Sequence, residues 1–130
     1  MTLVPIFVFG KKSVNSENAI HLKQSIDYAN NASRISNSMN AFDTFGIKEM
    51  TSIIDNYRKA LSESQQVEIN TLNERLSGFG KHYQNEFING LNLIIEGFDE
   101  NNQQKSFKGQ VLLDNWGNWY SENLNKIKRE

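Results

Sequence analysis

The sequence predicts a mainly α fold: one small helical bundle of four to five helices over residues 16–130, preceded by a short extended apolar arm at residues 1–10. Three observations carry this. Apolar residues recur at steps of three and four from Ile69 through Leu72, Leu76, Phe79, Tyr83 and Phe87, and on through Leu91 and Ile94 to Phe98. That is one face of helical structure, and a stripe so long is satisfied only by packing against other helices. Shorter stretches with the same rhythm stand on either side of it. The chain has 130 residues and a single proline, with 38% hydrophobic and 22% charged residues. These totals describe one ordinary globular domain with one core.

Residues Leu3 to Phe9 are rich in β-branched and aromatic types and end at Gly10, which reads as a short extended arm. Pro5 keeps it out of a central strand. Such an arm either lies across its own helices or docks onto another chain. The run is too short to cross a bilayer, and its lysines follow the apolar residues, the reverse of a secretory signal.

Ser16 stands where a cap opens the first helix, whose narrow face is Ala19, Leu22, Ile26 and Ala29. From Asn30 to Asn40 the segment is mostly Asn and Ser, and it reads either as a frayed continuation or as a connection. A second helix opens near Asp43 or Thr44 and carries Ile47, Met50, Ile54, Tyr57 and Leu61 on one face. Ser62-Glu63-Ser64 supplies a stop, and Ser62 with Gln65 has the spacing of a capping box for the next helix.

The long stripe, taken as one helix from Gln65 to Glu96, would run about 48 Å at 1.5 Å per residue. That exceeds a domain of this size, so a break or kink is expected at Gly78-Phe79-Gly80. A rival reading makes residues 87–93 a β-hairpin around Asn89-Gly90. The helical phase crosses Gly90 undisturbed, which favours the helix. Gly97 closes this element, Asp99 to Gln104 forms a polar connection, and Gln110 to Ile127 is the final helix, with Leu113, Trp116, Tyr120 and Leu124 in phase.

Net charge is −1 and the fourteen basic residues are dispersed, so the clustered Lys and Arg of a nucleic-acid binder are missing. Cysteine is absent, which excludes thiolate chemistry and fits a cytoplasmic location. No membrane association is expected. His82 and Glu86, four apart, share a helix face and could orient a general base or hold two metal ligands. Two ligands do not make a metal site, and His21 stands on another element with no acidic partner at matching spacing. Asp99, Asn101 and Gln103 imitate a calcium loop, but Gln104 replaces the required glycine and Gln110 the closing glutamate. No nucleophile motif or phosphate-cradling loop occurs. No cofactor and no metal are therefore expected.

Trp116, Trp119 and Tyr120 form the most informative group. Trp116 and Tyr120 belong to the final stripe and Trp119 stands beside it, so each is either core or an interface anchor. Asp99, Glu100 and Asp114 would complement a basic partner. By elimination, the expected function is a non-catalytic protein that binds and neutralises another protein, in the manner of a bacterial immunity protein or antitoxin facing a basic nuclease toxin. Trp119, Trp116, Tyr120, Asp99, Glu100 and Asp114 are its candidate partner-binding residues. The alternatives are an adaptor or chaperone-like component docking through the arm, and an enzyme using His82 and Glu86. Oligomeric state has no cue in the sequence.

Overall fold

The structure, a computed structural model, describes residues 16–37 and 47–128. The expected arm at 1–10 and the expected start of the second helix at Asp43 or Thr44 lie outside these residues. Among the described residues the fold is all helical, as the periodicity predicts. Helix α1 (Ser16–Asn37) packs along α2 (Ile47–Ser64), and α5 (Asn89–Asp99) packs along α6 (Gln103–Lys128). Both pairs are antiparallel, and α2 also contacts α5. Between them run two one-turn helices, α3 (Ile69–Leu72) and α4 (Phe79–His82), with a π-helical segment at Tyr83–Ile88. One core cluster joins all these elements.

The Asn- and Ser-rich run is helix as far as Asn37, where the described residues end, so up to that point it continues the first helix. The reason is burial on the side facing α2. Asn30, Ala32 and Ser33 are buried there beside Ala29, and these small or compact side chains leave room for the Ile53, Ile54 and Tyr57 face of α2. Weak helix propensity is overridden by the partner helix.

The expected helix over 65–78 is not formed. After α2, the Gln65 backbone N–H donates to the Leu61 carbonyl at 3.0 Å and Val67 to Ser64 at 3.2 Å, so the Ser62–Gln65 capping box is replaced by a turn. Asn18 of α1 supports this departure. Its Oδ1 accepts the Glu68 backbone N–H at 2.5 Å and its Nδ2 donates to Thr71 Oγ1 at 2.7 Å. Gly78, at φ +86°, then takes the left-handed conformation that L side chains avoid, and Asn73 Oδ1 accepts the Gly80 N–H at 3.0 Å. The break expected at Gly78-Phe79-Gly80 is thus a full interruption. The phase survives because Leu72 and Phe79 are buried although the backbone between them leaves the helix. Periodicity there reports burial.

From Phe79 the chain is helical without a gap to Asp99, so the alternative β-hairpin at 87–93 is excluded. Phe79, Tyr83, Phe87 and Leu91 are all buried at four-residue steps. In a 3.6-residue helix each such step drifts by about 40°, and three would carry the stripe about 120° around the axis. The wider turn of the π segment takes up this drift and keeps all four inward. Gly97 does not close α5. It is buried within the helix, which ends two residues later at Asp99 and is followed by a left-handed Asn101 (φ 55°), with the Asn102 N–H donating to the Gly97 carbonyl at 2.7 Å. Asn102 then caps α6, its Oδ1 accepting the Lys105 N–H at 3.1 Å. Two adjacent asparagines end one helix and start the next, so α6 begins at Gln103 instead of Gln110.

Candidate functional site

The three aromatic residues singled out in the sequence fall into two environments. Trp116 is 1% exposed and Tyr120 0%. Both lie in a packed aromatic cluster: Trp116 stands 5.4 Å from Tyr83, 5.6 Å from Phe87 and 5.1 Å from Tyr120, centroid to centroid. Neither offers surface to a partner, which corrects their place among the partner-binding candidates. The cause is α6 facing the π segment, where the four-residue aromatic stripe needs large rings opposite it.

Trp119 is half-buried. Its ring stacks on His82 at 4.3 Å and 16°, and also touches Phe79 at 5.8 Å. His82 Nδ1 is hydrogen-bonded to Glu86 at 2.7 Å, so the pair expected from the i, i+4 spacing does form. The ring is thereby held between a carboxylate and an indole. His21 has an acidic partner after all: Glu63, at the end of α2, meets its Nδ1 at 2.5 Å. Sequence spacing could not show this, because the two residues are forty-two positions apart. Among the described residues no group of three or more His, Asp or Glu is placed to hold a metal ion.

Two of the three candidate acids lie away from Trp119. Asp99 and Glu100 stand at the α5–α6 turn, and Trp119 is sixteen residues along α6 from its first residue, about 24 Å. Asp99 pairs with Arg58 of α2 at 2.5 Å, and Lys105 reaches Glu100 at 3.0 Å and Glu96 at 3.2 Å. Glu100, then Glu96, hold the Lys105 ammonium above its ordinary range. All three acids are well exposed, so these pairs contribute little stability and are replaceable by an incoming cation. Asp114 accepts from Gln110 Nε2 at 3.3 Å.

Sequence reasoning missed the apolar residues beside these acids. Phe107 is 69% exposed and Val111 41%, at positions i and i+4 on the outer side of α6, with half-buried Asp114 at i+7 turned toward α2. Phe98, near the end of α5, is exposed as well. Phe107 stood outside every predicted element because the final helix was begun too late. Continuing the Leu113 phase backwards through Gly109 and Ser106 would have shown Phe107 to be off the core stripe. Phe107 and Trp119 are twelve residues apart, roughly 18 Å along α6 and a third of a turn around it, so they belong to different surfaces.

No helix among the described residues is long and apolar enough to cross a membrane. No known protein family, curated protein or solved structure matches the chain.

Proposed function

We propose that this domain binds another protein and covers it, the mode of action of a bacterial immunity protein or antitoxin in the cytoplasm, with a basic toxin as the partner. The observation that carries this is Phe107, a large aromatic side chain left 69% exposed on a well-packed helix, one turn from Val111 and two from Asp114. Lone exposed apolar residues are ordinary, whereas two on one helical face beside acids have the composition of an interface centre with a charged rim. Asp114 stands one turn from Val111 on the same helix, and Glu96, Asp99 and Glu100 add further negative charge at the α5–α6 turn. A cationic partner would exchange Arg58 and Lys105 for its own side chains there and be steered to the face by the same charges. Fold class does not dictate this function, so the proposal rests on the surface alone.

The test is association in the native host. Affinity purification of the wild-type chain should retain a protein with a basic active surface, and Phe107→Asp together with Val111→Asp should lose it while the helical circular dichroism stays unchanged. Charge reversal at Asp99, Glu100 and Asp114 should weaken the same complex at least tenfold. Retention of the partner by both variants, or a partner whose toxicity is undiminished when the chain is co-expressed, would sink the proposal.

A further inference from the structure

A cavity of about 450 Å³ opens between α2 and the α5–α6 turn. Its walls are apolar: Met50, Ile53 and Ile54 from α2, with Ile94 and Phe98 from α5. Neutral polar side chains stand at the other side, chiefly Asn101, Gln103 and Gln110. Among the described residues no Asp, Glu, Lys, Arg or His lines it. Tyr57, the ionisable residue that does, is buried, and desolvation keeps its phenol neutral.

The volume lies in the range of small-molecule sites, about 300–1,000 Å³, which combine apolar walls with a few placed polar groups. The walls are held in position independently of any occupant. The cavity's Ile53, Ile54 and Ile94 walls belong to the buried core that joins α2 and α5. A Cβ on Gly97 would stand 2.2 Å from Ser106 Oγ, so α5 and α6 are locked at closest approach on the cavity's edge. The two capping asparagines fix the turn that carries the amide rim. A preformed cavity avoids the ordering cost that weakens binding to a mobile surface. The absence of charge among its described lining residues also selects: an ion moved into such surroundings loses its hydration without gaining a partner there.

From this geometry we infer that the cavity is a binding site for an uncharged amphiphile, with a hydrocarbon chain between α2 and α5 and one hydroxyl or amide head at the Asn101–Gln103 rim. This inference is independent of the outer α6 face and of any protein partner.

The experiment titrates the full-length ¹⁵N-labelled chain with 1-hexanol, 1-heptanol and 1-octanol, and with octanoate and octylammonium as charged analogues. Saturable amide shifts centred on the cavity residues are expected, with affinity rising about three- to fourfold per methylene in the alcohol series. Both charged analogues should bind at least tenfold more weakly than 1-octanol. Absence of saturation, shifts scattered over the surface, or equal binding of octanoate and 1-octanol would overturn the inference, and this series uses only the wild-type chain. A second arm replaces half-buried Met50 by Trp to fill the wall. The folded Met50→Trp variant should lose 1-octanol binding at least tenfold, and unchanged binding would likewise overturn the inference.

Discussion

Gly90 of α5 and Gly109 of α6 meet backbone to backbone: a Cβ on Gly109 would stand 2.6 Å from the Gly90 carbonyl oxygen, and one on Gly90 2.9 Å from the Gly109 oxygen. Each glycine lies mid-helix, where propensity alone favours alanine by about 1 kcal/mol. Close approach of the two helices reverses that preference. Gly90→Ala and Gly109→Ala should each destabilise the fold by roughly 1–3 kcal/mol, the usual cost of overpacking. Urea denaturation of the two variants checks this, and a raised midpoint for either would show that the helices separate without cost.

Tyr83 is fully buried and its hydroxyl lies 2.7 Å from Ser25 Oγ on α1, while Ser25 donates to the Leu22 carbonyl at 2.7 Å. Tyr83 therefore serves as donor to Ser25. Ser25→Ala should cost about 1–3 kcal/mol, because it strands a buried hydroxyl. Tyr83→Phe should cost only about 1 kcal/mol, since Ser25 keeps its bond to Leu22. In a double-mutant cycle the paired variant should lose less than the sum of the two single changes. Strict additivity would mean that the two hydroxyls are not coupled.

Burial raises the phenols of Tyr57, Tyr83 and Tyr120 well above their ordinary value of 10.0. The folded state thus keeps three protons that the unfolded chain releases above about pH 10. Unfolding then becomes easier as pH rises, by about 1.4 kcal/mol per pH unit for each tyrosine, or about 4 kcal/mol per unit for three. The stabilisation is fully present below pH 10 and is lost progressively above it. Denaturant midpoints measured between pH 9 and 11 should stay level and then fall steeply, with phenolate absorbance from these three residues appearing only on unfolding. Phenolate absorbance from three buried rings in the native state would contradict this.

Trp116 and Phe107 should rank in opposite order for stability and for association. Truncating the buried Trp116 to Ala should cost roughly 3–5 kcal/mol. Phe107→Ala should change stability by no more than about 0.5 kcal/mol, because its ring has little packing to lose. Thermal unfolding of both variants decides the first half, and the partner measurement above decides the second.

The helical class and the Phe79–Leu91 stripe were legible in the sequence because burial on one face leaves a three-four rhythm in the residue types. The His82–Glu86 pair was legible for a related reason, since both residues lie within one turn of the same helix. Where the chain turns between buried side chains the rhythm misleads, as between Leu72 and Phe79. Starting the final helix at Gln110 hid Phe107, because a capping asparagine and a loop asparagine are the same letter.

Sequence alone determined which faces of the chain are apolar, and hence that helices would pack around one core. Only the tertiary structure decided which helices meet: that Glu63 reaches His21, that Arg58 reaches Asp99, and that two glycines face each other across α5 and α6. Hydrophobic burial is non-directional and is written residue by residue along the chain. Contacts between distant residues depend on the crossing of elements and carry no local signature.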